Sequence, residues 1–108
     1  MINVSEPWFT FMKKGKKRIE GRLNKGTFSE LKKGDIIQFN NNDNNFKVKI
    51  TGIKHYNTFH EYLTMEGLKR TLPGIKTIEE GVNIYYKYYT KEMENQYKIL
   101  AIYIKRQK

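Results

Sequence analysis

The amino-acid sequence predicts an α+β fold on three observations. Phe46, Val48 and Ile50 alternate with Lys47, Lys49 and Thr51, the two-residue period of a half-buried strand. Thr58-Phe59-His60-Glu61 and Thr77-Ile78-Glu79-Glu80 have the spacing of a capping box, in which a threonine oxygen and a glutamate carboxylate satisfy free amides of the first helical turn. The run from Tyr97 to Lys105 holds Ile99, Leu100, Ala101, Ile102 and Ile104, apolar enough for a central strand buried on much of both faces. A chain of 108 residues fits one domain, 1–108, and is too short for two cores that are each stable alone.

Along the chain, Ser5-Glu6-Pro7 reads as a helix start, with Ser5 as the cap and Pro7 in the first turn, and Gly15 reads as the stop. The helix is expected over 6–14. Trp8, Phe9, Phe11 and Met12 are too many large apolar groups for one narrow stripe, so part of the set, Trp8 first, is expected to face a cleft as well as the core. Arg18 to Leu23, between Gly15 and Gly26, reads as a short strand on which Glu20 and Arg22 share a face. Lys33-Gly34-Asp35 is a turn before a strand from Ile36 to Phe39, and 40–45 reads as a polar hairpin loop leading into the strand that begins at Phe46. A short helix is expected from Phe59 to about Met65. A second opens at Thr77 and runs through the aromatic stretch Tyr85-Tyr86-Lys87-Tyr88-Tyr89.

The absence of cysteine removes disulfides, thiolate metal sites and a cysteine nucleophile together. His55 and His60 cannot make a full structural zinc site and read as surface residues, so no metal and no cofactor is predicted. No apolar run is long enough to span a bilayer, and the N-terminus lacks a secretory pattern, so a cytoplasmic protein without a membrane partner is expected. There is no serine in a recognisable nucleophile elbow and no glycine-rich phosphate loop. The formal net charge is +10, which points to a polyanion, with nucleic acid the first candidate. Lysine far outnumbers arginine, as an AT-rich coding sequence also produces. Clustering favours the functional reading: from Lys13 to Lys33 nine basic residues face two acidic ones, a surplus of seven.

Gly15-Lys16-Lys17-Arg18-Ile19-Glu20-Gly21-Arg22 fits the pattern G-x-K-x-x-E-x-R, and in this it resembles the ASCH family, itself similar to the PUA domains of RNA-modifying proteins. The preceding helix, the Leu31 to Asp35 turn, the Tyr62 to Leu68 and Leu72-Pro73-Gly74 stretches and the closing strand extend the resemblance over nearly the whole chain. It implies a small PUA-like β-barrel with short helices around it, and a cleft beside the barrel along which the motif lies. It also implies RNA binding, RNA cleavage, or hydrolysis of an acetyl amide from modified cytidine. In the amidohydrolase branch the working residues are a lysine, a threonine three positions on and a distant glutamate. The first falls on Lys17, but the second falls on Glu20, which breaks the pattern; Glu66 is the nearest candidate for the third.

Lys17, Glu20 and Arg22 put a fixed cation, a carboxylate and a planar five-donor guanidinium within a few residues. Arginine suits bidentate contact with phosphate or a carbonyl, while a carboxylate accepts from an exocyclic amine. The plainer reading is a same-face ion pair between Glu20 and Arg22 with a solvated Lys17. If the site is catalytic, Glu20 or Glu66 is the candidate general base and Lys17 stabilises negative charge developing on oxygen. Trp8, Tyr56, Tyr86 and Tyr89 are candidates for base stacking, against core packing for much of the Tyr85 to Tyr89 run. The leading function is thus a binder of RNA or of a modified nucleotide or nucleoside through Trp8, Lys17, Glu20, Arg22 and Tyr89. A small hydrolase using the same cleft and a basic adaptor for an acidic protein are the alternatives.

Overall fold

The computed structural model describes residues 2–107. The described elements are β1 (Ile2–Asn3), α1 (Trp8–Lys13), β2 (Ile19–Leu23), a 3-10 turn (Gly26–Glu30), β3 (Ile36–Asn41), β4 (Asn44–Tyr56), α2 (Phe59–Glu66), α3 (Leu68–Thr71), α4 (Ile78–Tyr86), α5 (Lys91–Tyr97) and β5 (Ile99–Arg106). The five strands form one mixed sheet in the order β1-β3-β4-β5-β2, with β1 parallel to β3 and every other pair antiparallel. A register shift between Ile50 and Gly52 lies in the long strand β4, where an extra residue bends a strand and increases its twist. The sheet curls into a half-barrel until its two edge strands approach. There Arg22 Nη2 on β2 donates to the Asn3 carbonyl on β1 at 3.1 Å. A side chain spans the opening that ladder hydrogen bonds would close in a full barrel.

The helices cover the sheet with two apolar clusters. Ile19, Leu23, Ile99 and Ala101 of β2 and β5 pack under Phe59, Tyr62 and Leu63 of α2, Leu72 and Tyr85. Phe9 and Met12 of α1 pack with Val4 on Phe39, Phe46 and Val48 of the hairpin. Complete burial of rings such as Phe59 and Tyr62 contributes on the order of 2 kcal/mol each from area removed from water. Glu94 of α5 joins the layers, because its carboxylate accepts from the Phe59 amide at 2.7 Å and from the Tyr86 hydroxyl at 2.6 Å. The start of α2 is therefore capped from another helix as well as by Thr58, whose oxygen accepts from Glu61 N.

Several elements differ from the sequence expectation. The first helix begins at Trp8 and Ser5 does not cap it. Glu6 supplies the acceptor instead, taking the Thr10 amide at 2.8 Å and its hydroxyl at 2.6 Å, and the Ser5 hydroxyl lies 3.3 Å from that of Tyr88. The expected loop over 40–45 is a two-residue turn, since Asn41 pairs with Asn44 and Asn42 takes the left-handed conformation, φ 53°, that asparagine tolerates. The helix from Thr77 stops at Tyr86. Lys87 and Tyr88 donate back three residues to Ile84 and Tyr85, which tightens the last turn, and Thr90 caps a separate α5 by accepting from Met93 N. No helix among the described residues is long and apolar enough to cross a membrane.

A candidate ligand cleft at the open edge of the half-barrel

Gly15, with φ +79°, turns the chain out of α1 and into β2 in a conformation that costs a glycine little. Lys17 then enters the protein interior at 2% exposure, so the plainer reading, in which this lysine is solvated, does not hold. Its ammonium donates to the Ile19 carbonyl at 2.7 Å and to the Thr71 carbonyl at 2.5 Å, and it lies 3.4 Å from Glu20 Oε1. One carbonyl belongs to an edge strand and the other to the last residue of α3, and Lys17 gives each a partner.

Glu20 and Arg22 share a face of β2. Glu20 Oε2 accepts from Arg22 Nε at 3.0 Å and pairs with Nη2 at 3.0 Å. The guanidinium also stacks on Phe28, 4.8 Å from the ring centre. Burial pushes the Glu20 carboxyl up, but the Arg22 and Lys17 charges outweigh it and hold the group below its ordinary value. For Lys17 burial is the larger effect, so its amine is lowered despite Glu20. The result is an ionised carboxylate clamped between two cations.

These residues line a cleft of about 620 Å³ between the N-terminal segment, β2, the β3–β4 turn and the end of α4. Trp8, Tyr88 and Tyr89 provide ring faces around it, and Tyr85 and Leu72 reach it from the core. Trp8, Lys17, Glu20, Arg22 and Tyr89 thus come together at one opening. Tyr56, Tyr86 and Glu66 do not line it. Glu66 is buried elsewhere, accepting from the Tyr56 hydroxyl at 2.5 Å, from the Tyr103 hydroxyl, and from Arg70 at 3.0 Å. Its carboxylate joins α2 to β4 and β5.

The basic run from Lys13 to Lys33 does not make one face. Lys13 and Lys14 lie beside Arg106 in a groove next to α1, while Lys32 and Lys33 line a separate hollow with His55. The cleft between these places holds two cations against one carboxylate. Sequence reasoning missed Asn40, Asn41 and Gly21. The asparagines read as loop in the sequence, yet their end of β3 borders the opening. Gly21 admits Tyr62, because a Cβ there would meet the ring at 2.6 Å and its hydroxyl at 2.9 Å. The motif spacing could have suggested Gly21, since it lies between the two charged residues.

The ASCH domain family model matches residues 2–107. The chain belongs to the ASCH domain family. The crystal structure of hypothetical protein PH0355 is similar to this ASCH domain with a TM-score of 0.92 and 42% sequence identity, over 98% of this chain and 96% of that one. The solution NMR structure of protein PF0455 from Pyrococcus furiosus gives a TM-score of 0.83 at 38% identity, over 99% of this chain and 96% of that one. No curated protein matches the chain. This ASCH domain therefore shares its half-barrel with those proteins, and its motif residues Lys17, Glu20 and Arg22 line the cleft while Gly15 makes the turn that leads into β2.

Proposed function

We propose that this ASCH domain binds RNA or a modified nucleoside, with a base entering the cleft and phosphates lying on the basic surface outside it. The observation that carries the reading is the ionised Glu20 held between Lys17 and Arg22 beside the rings of Trp8, Tyr85, Tyr88 and Tyr89. Aromatic faces accept a planar base in a sequence-tolerant way, and a carboxylate accepts from an exocyclic amine. The near balance of charge in the cleft suits an uncharged base better than a phosphate. Lysines elsewhere supply the long-range attraction.

Trp8 is the chain's only tryptophan and lines the cleft, so its emission reports occupancy. Titration of short single-stranded RNA at near-physiological salt should change Trp8 fluorescence saturably. Duplex DNA should not reproduce the change, and Arg22→Ala should weaken it. Equal binding of RNA and duplex DNA with no change in emission would show that the charge acts generically and that the cleft is not the site.

A hydrolytic role for the same cleft has one observation in its favour, the lowered amine of Lys17 beside Glu20. In this second reading Lys17 and Glu20 are the working residues, and Glu66 is left out because its carboxylate is committed to Tyr56, Tyr103 and Arg70 away from the cleft. Product release from an N-acylated cytidine, lost in Lys17→Met, is its test.

A further inference from the structure

The lysines that cluster in the sequence are scattered by the fold, whereas four that the sequence keeps apart are gathered by the sheet. Lys49 of β4 stands directly opposite Lys105 of β5, so both project from the same face, and Lys47 projects from it two residues back along β4. Beyond the register shift Gly52 is opposite Tyr103 and Lys54 is opposite Ala101, which continues that face. The Tyr103 ring lies against Gly52, where a Cβ would meet it at 3.4 Å, and the Lys54 ammonium sits 5.8 Å from the ring centre. All four lysines are exposed, and among the described residues no carboxylate pairs with any of them. None of the described strand residues on this face is acidic.

Like charges directly opposite one another destabilise a sheet, so the Lys49 and Lys105 pair is a cost that the fold alone does not repay. Lysine often guards an open sheet edge, but Lys47 and Lys49 lie between β3 and β5, where the backbone is already paired on both sides. A protein partner needs an apolar centre, and Ile36, opposite Lys49, is the only exposed large apolar side chain on this face. Phosphates need only cations. We infer that Lys47, Lys49, Lys54 and Lys105 form a track about 20 Å long that holds the phosphodiester backbone of single-stranded RNA, one phosphate to each ammonium. The inference rests on the RNA part of the proposed function and not on entry of a base into the cleft, which none of these residues lines.

A fluorophore-labelled oligouridylate is titrated by anisotropy over a range of salt against the native protein and two fourfold variants. One carries Lys47→Gln, Lys49→Gln, Lys54→Gln and Lys105→Gln. The other carries Lys13→Gln, Lys14→Gln, Lys32→Gln and Lys33→Gln, which removes the same charge from the two grooves beside α1 and His55. The sheet variant should lower the slope of log K against log salt by about 3, as four lost single-strand phosphate contacts require, and weaken binding about tenfold or more at near-physiological salt. The groove variant should keep most of the native slope, because charges beyond a Debye length are screened. Lys49→Glu alone gives Lys105 a cross-strand partner, so its Tm should rise while its RNA affinity falls. An unchanged slope in the sheet variant, equal losses in both fourfold variants, or native affinity in a stabilised Lys49→Glu protein would each overturn the inference. A slope lost only in the sheet variant, with Trp8 emission unresponsive to RNA in the native protein, would uphold it while removing the base-binding reading of the cleft. No binding of RNA by the native protein would remove both.

Discussion

The Lys17 ammonium and the Thr71 carbonyl lie 2.5 Å apart, joining the start of β2 to the end of α3. With Ile19 O and Glu20 as its other partners, Lys17 has all three donors engaged, so its position is fixed by the fold. Lys17→Met keeps the stem and strands two carbonyls. It should cost about 2–4 kcal/mol in urea unfolding, from unpaired buried acceptors and a weakened ion pair. A loss below about 0.5 kcal/mol would mean that the amine is a solvated surface group.

Glu20→Gln should be as damaging, because it leaves Lys17 and Arg22 without their counter-charge. Removing one partner from a buried ion pair costs about 3–5 kcal/mol. The acid limb separates this from a packing effect. The folded pKa is depressed below the ordinary 4.5, so the stabilisation is complete above that value and is lost as pH falls through the folded one. Native stability should therefore drop more steeply below pH 4.5 than that of Glu20→Gln. Parallel curves would mean that the carboxylate makes no such contribution.

How much was legible follows from the range of the interactions. The Phe46 to Ile50 alternation, both Thr-x-x-Glu caps and the closing strand are local signals, and each appears within a residue or two of its expected place. Residues 40–45 and the break between α4 and α5 were misread because asparagine suits loops and tight hairpin turns alike, and because tyrosines mask a new cap. Thr90, followed by Glu92 and Glu94, was the available signal. The two-residue β1 had none, since its pairing with β3 is tertiary. For the site, a motif placed Lys17, Glu20 and Arg22 near one another. The burial of Lys17 depends on Thr71, fifty-four residues away, and Glu66 is separated from the cleft by contacts with Tyr56 and Tyr103 that no local pattern encodes.

Gly21→Ala tests the close approach beneath the motif. An added Cβ would lie 2.6 Å from a Tyr62 ring carbon and 2.9 Å from its hydroxyl, inside any tolerated contact. Tyr62 is fully buried and packs against the Tyr56 and Tyr85 rings, so it can retreat only by displacing them. Overpacking of this kind costs about 1–3 kcal/mol, and a fall in Tm of several degrees is expected. An unchanged Tm would show that the ring moves freely and that Gly21 matters only through the backbone.

The tyrosines set the alkaline limit. Six of the eight have raised phenol pKa values. Tyr56 is pushed up to about 12 by burial and its bond to Glu66, and Tyr86 to about 12 by its bond to Glu94 and burial. A phenol raised in the folded state contributes stability that is complete below its ordinary 10.0 and is lost as pH rises through the folded value. Lys17 acts oppositely: its folded amine is lowered, so the unfolded chain holds the extra proton up to 10.5 and this share of stability grows with pH. One amine is outnumbered by six phenols, so net stability should fall from pH 10 to about 12. Phenolate absorbance should lag behind that of the unfolded chain and then rise together with the loss of helical circular dichroism. Full ionisation near pH 10 with the fold intact would mean that these hydroxyls are solvated and that the Glu66 and Glu94 networks do not hold them.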